Sequence, residues 1–171
     1  MGADLTGANL TSTTLTGTDF SDTDATTGVV TAANLTSAIL TSADLSGQDL
    51  TSVDFEKADL SGADLTGATL TNAILTGAKL ITDGTNTVKL MGATLTGAKL
   101  SKADLTGADL GLNLLVKTNL VGADLTGAIL KNADLASAIL VDTTVGSKGA
   151  NLEKADLTGA DLTATVFSVT D

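Results

Sequence analysis

Leucine or phenylalanine occupies nearly every fifth position of this chain, and small or polar residues fill most of the positions between them. Of the 29 multiples of five from 5 to 145, 25 are Leu or Phe, and the exceptions are Ala25, Val30, Thr85 and Val145. On an α-helix successive leucines would rotate by about 140° and form no stripe. On a straight strand they would alternate between opposite faces. The period therefore excludes both elements as the main structure.

A chain that turns a corner every five residues would place all of these leucines in one core. The position two residues before each leucine supports this interpretation, because 18 of the 29 such positions from 3 to 143 are alanine. A small residue leaves room near a corner and a large one fills the centre, which suits a narrow β-structure. The sequence therefore predicts a solenoid of stacked coils with polar residues outside.

The repeats Ala3-Asp4-Leu5-Thr6-Gly7, Ala63-Asp64-Leu65-Thr66-Gly67 and Ala123-Asp124-Leu125-Thr126-Gly127 resemble the pentapeptide-repeat family, whose motif is A-(D/N)-L-x-x. The resemblance covers nearly the full chain. It implies an all-β fold, a right-handed quadrilateral β-helix, whose hand and four sides follow from the resemblance alone. At 20 residues per coil, the 171 residues predict about eight coils of four pentapeptides, and we expect one domain over residues 1–171.

Three segments interrupt the repeat, at residues 22–31, 81–88 and 145–150. In the second, Asp83 and Thr85 replace the alanine and the leucine, and Asp83-Gly84 favours a turn. We expect this segment to leave the rod as a loop, although the leucine register resumes unchanged at Leu90 and would also permit it to stay in the coil. The third segment contains a two-residue insertion, after which leucines fall at 152, 157 and 162.

Two amides stand at alanine positions, Gln48 and Asn113. An inward amide requires hydrogen-bond partners to offset its desolvation. Each would either bond to the backbone at a corner or line a small binding notch.

The formal net charge is −11, and the chain has no Cys and no His. It therefore lacks the usual nucleophile, general base and soft metal ligand, and its Ser, Thr and Asp residues recur with the repeat. These features indicate that the protein is not an enzyme and has no cofactor. The charge also opposes direct nucleic acid binding.

No apolar run is long enough to span a membrane, and no signal-peptide pattern opens the chain. We therefore expect no association with a membrane. The compartment stays open between the cytoplasm and, if a leader has been removed, the periplasm or thylakoid lumen.

Aspartates precede the central leucines, and sorting the chain by a 20-residue step places six on one side: Asp4, Asp24, Asp44, Asp64, Asp104 and Asp124. One interpretation is that each side chain accepts local backbone hydrogen bonds. The other is an acidic ladder that binds a basic partner. The alignment assumes that residues 81–88 stay in the coil. If they leave it, Asp104 and Asp124 lie on a different face.

These observations favour a non-enzymatic structural or protein-interaction rod with an unknown protein partner. The alternative is an acidic DNA mimic that acts on DNA gyrase or another DNA-binding protein, as the resemblance to acidic pentapeptide-repeat proteins implies. Those proteins dimerise through a C-terminal helix, whereas residues 164–171 have no helical pattern. Because the terminal coils expose unpaired edges, we expect a monomer or an end-to-end oligomer.

Overall fold

The computed structural model describes residues 4–5, 7–14, 20–23, 30–111, 117–131, 133–140 and 149–166. Their regular structure consists of single-residue parallel bridges between successive coils, together with one antiparallel hairpin of β1 (Ser21–Thr23) and β2 (Val30–Ala32). The bridging residue of each side is the one before the central leucine. None of the described residues belongs to a helix able to cross a membrane.

The bridges line up in four columns, which define the four faces of the rod. Face A comprises Asp4, Asn34, Asp54, Ile74, Lys99, Asp124 and Asn151. Face B comprises Asn9, Ile39, Asp59, Lys79, Asp104, Ile129 and Asp156. Face C comprises Thr14, Asp44, Asp64, Lys89, Asp109, Asp134 and Asp161, and face D comprises Asp49, Thr69, Thr94, Asn119, Ile139 and Val166. The expected right-handed quadrilateral β-helix is confirmed.

A tight turn at each regular corner explains the period of five. The C=O of Leu35 accepts a hydrogen bond from the N–H of Ala38 at 2.9 Å, and Ser37 between them has a φ of 57°. This is the geometry of a type II turn, which requires positive φ at its third residue. Two corner residues and three residues of a short side therefore make one repeat.

Three backbone hydrogen bonds per side join each coil to the next. On face A, the N–H of Leu35 donates to the C=O of Asp54 at 2.7 Å, and the N–H of Ser37 donates to Glu56 at 2.8 Å. In the opposite direction, the N–H of Asp54 donates to the C=O of Ala33 at 3.1 Å. Each coil thus presents two donors and one acceptor per side to the coil that follows it.

The leucine and alanine positions form one continuous core. From Leu35 to Leu135 every described leucine at a central position has no exposed surface, and Phe55 fills the same position on its side. Leu5 and Leu10 in the first coil and Leu152, Leu157 and Leu162 in the last coil are only partly buried. The inward assignment made from the repeat is therefore correct, and only the terminal coils bury their leucines incompletely.

The first interruption is a hairpin inserted at a corner. Twelve residues, including β1 and β2, separate Phe20 from Ala33, where a regular corner has two. The N–H of Ala33 still donates to the C=O of Phe20 at 2.8 Å, as in an ordinary turn. The coil closes beneath the hairpin, so β1 and β2 belong to an addition to the corner, and Ala25 lies outside the described residues.

Three further corners are lengthened in the same way. Seven residues separate Leu80 from Val88, and seven separate Leu110 from Thr118. Nine separate Leu140 from Ala150, whose N–H still donates to the C=O of Leu140 at 2.7 Å. The last addition is seven residues longer than a regular corner, whereas the sequence indicated two, because an extra five residues leave the leucine register unchanged.

The loop after Leu80 folds over neighbouring corners. The Asp83 carboxylate accepts hydrogen bonds from the N–H of Thr85 at 2.8 Å and of Asn86 at 2.6 Å, which form the turn that Asp-Gly indicated. Thr85, at a leucine position in the sequence, is exposed, and no described bridge involves residues 81–88. Residues 82–87 therefore lie outside the coil, whereas Val88 is buried in the core and its C=O accepts from the N–H of Asp109 at 3.1 Å.

The additions at the corners also lower the number of coils. The described bridges link seven levels, from Asp4 to Asn151 on face A, where the length of the chain indicated about eight. The extra residues at the four lengthened corners together outnumber the residues of one regular coil, and they are not available to form a further coil.

Candidate interaction surface

The six aspartates that the sequence placed in one ladder do not share a face. Asp44 and Asp64 are neighbours on face C, whereas Asp104 lies on face B. Asp4 and Asp124 lie on face A, five levels apart, and Asp24 is outside the described residues. The reason is that each lengthened corner shifts the 20-residue count, so that successive levels are 20, 25, 27 or 30 residues apart.

The structure instead gathers acidic residues on face C. Over the six levels that follow Thr14, this face carries five aspartates and one lysine: Asp44, Asp64, Lys89, Asp109, Asp134 and Asp161. Among the described bridging residues, faces A and B each have three aspartates and one lysine, and face D has one aspartate. The 20-residue count did not include Asp109, Asp134 and Asp161 in the acidic ladder, although each precedes a central leucine as the other aspartates do.

Local hydrogen bonds hold these carboxylates in place. One oxygen of Asp44 accepts from the N–H of Ser46 at 3.0 Å, and the same bond recurs from Thr66 to Asp64 at 3.0 Å. Equivalent bonds are made by the other aspartates of face C and by those described on faces B and D. Asp54 and Asp124 of face A make it too, so the described bonds support the local interpretation on all four faces. It leaves the second carboxylate oxygen available to a partner at many positions.

Lys89 divides face C into two acidic parts. Its Nζ lies 2.9 Å from Oδ2 of Asp64, and this hydrogen bond and charge raise the pKa of Lys89, with smaller contributions from Asp44 and Asp109. Burial raises the pKa of Asp64, but hydrogen bonds from Thr66 and Lys89 outweigh it and leave that pKa lowered. Both groups are therefore charged at neutral pH, and Lys89 neutralises Asp64 locally.

Beyond Lys89, the carboxylates of Asp109 and Asp134 converge on Gly111. The N–H of Gly111 donates to Oδ1 of Asp109 at 3.0 Å. A Cβ at Gly111 would lie 3.0 Å from the Asp134 carboxylate and 3.2 Å from that of Asp109. The absence of a side chain at Gly111 leaves room for both carboxylates, so two negative charges lie against one glycine. Within the described ranges, no group of three or more His, Cys, Asp or Glu residues is arranged to hold a metal ion.

The buried polar positions show no binding notch in the described part of the rod. Gln48 is 7% exposed, and none of the fully buried side-chain nitrogen or oxygen atoms there lacks a partner. Asn113 lies outside the described residues. Thr118, at an alanine position, is completely buried, and its hydroxyl donates to the C=O of Leu90 at 2.8 Å and accepts from the N–H of Gly92 at 3.1 Å. This threonine joins two coils and needs no ligand.

The sequence matches the profile of the family described as pentapeptide repeats in eight copies, over residues 2–26, 31–67, 49–81, 89–111, 114–144 and 148–170. The unmatched stretches fall at the four lengthened corners. A search of curated protein sequences found no significant match.

Comparison with solved structures found matches that include three proteins. HetL, a pentapeptide repeat protein involved in heterocyst differentiation regulation from Nostoc sp. strain PCC 7120, is 29% identical over 96% of this chain and 86% of its own, with a TM-score of 0.34. A pentapeptide repeat protein from the Arabidopsis thaliana thylakoid lumen is 32% identical over 72% of this chain and 70% of its own, with a TM-score of 0.36. QnrB1, a plasmid-mediated fluoroquinolone resistance protein, is 21% identical over 98% of this chain and 76% of its own, with a TM-score of 0.58. The last likeness is one of fold alone.

Proposed function

The chain belongs to the pentapeptide-repeat family, and we propose that it is a non-enzymatic rod that binds a basic protein surface through face C. Proteins of this family are generally structural or interaction proteins. The observation that carries the proposal is the placement of aspartates at five of the six levels from Asp44 to Asp161.

The rigidity of face C supports binding to a partner. Coils stacked at about 4.8 Å repeat the carboxylates at a fixed spacing, and the local turn bonds already restrict each side chain. A row of lysine or arginine side chains would therefore meet acids that lose little further freedom on binding. Charge of one sign along a face also accelerates the encounter with an oppositely charged partner.

The alternative is an acidic DNA mimic that acts on DNA gyrase or another DNA-binding protein. The net charge of −11 favours it. Spread over seven levels at about 4.8 Å, that charge gives roughly one negative charge per 3 Å of rod, against one per 1.7 Å of duplex. The charge density is about half that of DNA and is interrupted by lysines, so we favour the basic protein partner.

A matched pair of triple variants tests the use of face C. Asp109, Asp134 and Asp161 are changed to Asn in one variant, and Asp59, Asp104 and Asp156 of face B in the other. Asparagine retains the oxygen that accepts the turn hydrogen bond, so both variants lose three charges with the same local geometry.

Binding is measured by titration with an oligolysine peptide at low and at moderate salt. The face C variant should lose affinity several-fold more than the face B variant, and added salt should reduce the difference. An equal loss in both variants would contradict a role for face C. Inhibition of gyrase supercoiling by micromolar wild type, lost in the face C variant, would instead favour the DNA mimic.

A further inference from the structure

We propose that copies of this rod stack head to tail, with the N-terminal edge of one copy on the C-terminal edge of the next. This surface lies at the ends of the rod and is separate from face C. The partner is a second copy of this chain, and the observations that identify it are the hydrogen-bonding groups, the apolar surface and the charges of the two edges.

The C-terminal edge presents mainly donors. In inner coils the N–H of the central leucine donates to the following coil, as Leu125 does to Asn151 at 2.8 Å. Within the described residues 149–166, the corresponding N–H groups of Leu152, Leu157 and Leu162 meet no acceptor. The same is true of the corner residues Lys154, Gly159 and Ala164. Each of these three described sides therefore offers two donors, and the C=O of its alanine is the single acceptor.

The N-terminal edge presents the complementary set. In inner coils the C=O groups before and after the central leucine accept from the preceding coil, as Asn34 and Thr36 do from Leu5 and Gly7. In the described part of the first coil, the C=O groups of Asn9 and Thr11 receive no such bond. On this side, two acceptors and one donor, the N–H of Asn9, thus face outward.

Only a head-to-tail contact pairs these edges correctly. Two donors and one acceptor then meet two acceptors and one donor, which reproduces the interface between any two inner coils. A contact between two C-terminal edges would set donors against donors. An unpaired sheet edge is a ready template for another chain, and here its polarity selects the opposite edge.

Apolar surface at both ends supports the same contact. Leu10 in the first coil and Leu157 in the last are only partly buried, whereas inner leucines such as Leu65 have no exposed surface. Stacking would cover both with a coil of equal cross-section, because the central residue of each described side is a leucine or a phenylalanine.

The charges permit the register that continues the four faces. In that register Asp4 lies over Asn151, Asn9 over Asp156 and Thr14 over Asp161, so no described carboxylate faces another. Pairs of the same kind occur inside the rod, where Asp4 bridges Asn34 and Thr14 bridges Asp44.

A contact of this kind is heterologous and leaves the same two edges free after every addition. The assembly should therefore grow with concentration and should not stop at a dimer. Sedimentation velocity of the full chain from micromolar to millimolar concentration should show this growth. A single monomeric species throughout would overturn the proposal.

Two variants, each altered at one end, test the polarity of the contact. Leu10→Lys places a charge on the N-terminal edge, and Leu157→Lys places one on the C-terminal edge. Each variant alone should stay monomeric, and an equimolar mixture should form a dimer that grows no further. Dimerisation of Leu10→Lys alone would show that two C-terminal edges meet, and this would refute the head-to-tail contact. Thr69→Lys, on the side of an inner coil, is the control that should still stack.

A surface variant keeps the test valid if a lysine disturbs a terminal coil. Asn9→Asp preserves the oxygen that accepts from Thr11 N–H at 3.1 Å, and it places a carboxylate over Asp156 of the next copy. Association should weaken about two- to five-fold at low salt, and Asn9→Lys should strengthen it by a similar factor. Equal association of the two variants would contradict the register.

Discussion

The Asp83 carboxylate accepts a hydrogen bond from the hydroxyl of Ser42, 41 residues earlier in the chain. The loop that carries Asp83 thus folds across the corner at Gly62, one level earlier in the rod, and reaches the corner at Ser42, two levels earlier. This bond lowers the pKa of Asp83, and bonds from the backbone of Asn86 and Thr85 lower it further. The hydrogen bond between Ser42 and Asp83 thus holds this loop, which lies outside the coil, against the corners of the rod.

Gly62 should tolerate a side chain less well than Gly67. Both have positive φ, 68° and 67°, so alanine costs about 1 kcal/mol at either position. Only at Gly62 would a Cβ overlap the Asp83 side chain, whereas nothing lies within 4 Å of one at Gly67. Gly62→Ala should lower the free energy of unfolding by about 1 kcal/mol more than Gly67→Ala, because the loop must move. Urea denaturation measures both, and equal losses would contradict the placement of Asp83.

Removal of residues 82–86, together with Thr87→Gly, should leave the rod folded. The bridges on either side, Lys79 to Asp104 and Asp64 to Lys89, do not involve the loop. The shortened corner would have the regular two residues. Because a shorter loop costs less entropy to close, this gain would offset the loss of the Ser42 hydrogen bond, and the free energy of unfolding should change by no more than about 1 kcal/mol. A thermal melt tests this. In the shortened protein, alanine at Gly62 and at Gly67 should cost the same.

Leu65→Ala should destabilise the protein far more than Leu157→Ala. Leu65 has no exposed surface and lies in an inner coil, whereas Leu157 is partly buried in the last one. A cavity at Leu65 should cost about 2–5 kcal/mol, and loss of part of the Leu157 contact about 1 kcal/mol. Denaturant unfolding compares them, and similar losses would argue against complete burial of the inner leucines.

Ser52→Gly should stabilise the corner that Thr51→Gly destabilises. Ser52 has a φ of 61°, a conformation that costs a non-glycine residue about 1 kcal/mol or more. Thr51, the preceding residue of the same turn, does not have positive φ, so glycine there only adds freedom to the unfolded chain. The melting temperature should rise slightly for the first variant and fall for the second. A fall in both would show that φ strain at this corner is negligible.

Acid should destabilise the fold through its hydrogen-bonded aspartates. The Ser101 hydroxyl, 2.6 Å from Oδ2 of Asp124, lowers the pKa of that carboxyl, with further lowering by Thr126. A group with a depressed folded pKa contributes stability above its unfolded pKa, about 3.9, and loses it as the pH falls through the folded value. Ser101→Ala should therefore cost a fraction of a kcal/mol at pH 7 and less near pH 3. Urea unfolding at both pH values tests this, and a loss independent of pH would assign the effect to packing.

The sequence by itself determined the cross-section of the rod. Leucine at every fifth position with alanine two residues before it can be buried only by a chain that turns at that interval, and the inward assignments hold for the described inner coils. The sequence also indicated the hydrogen bonding of the turns, because an aspartate before the leucine provides the acceptor for the N–H group of the corner residue that follows.

Only the tertiary structure decided which residues share a face. A face depends on the total number of residues in all preceding corners, and a corner lengthened by five or ten residues leaves the leucine register intact. The addition between Leu110 and Thr118 was therefore hidden, and the addition between Leu80 and Val88 moved Asp104 from the side of Asp64 to face B. The position of a residue within its repeat is set locally by which side chains are buried. The face on which it lies depends on the lengths of all the corners before it. Face C, with Asp109, Asp134 and Asp161, is therefore formed only when the coils stack.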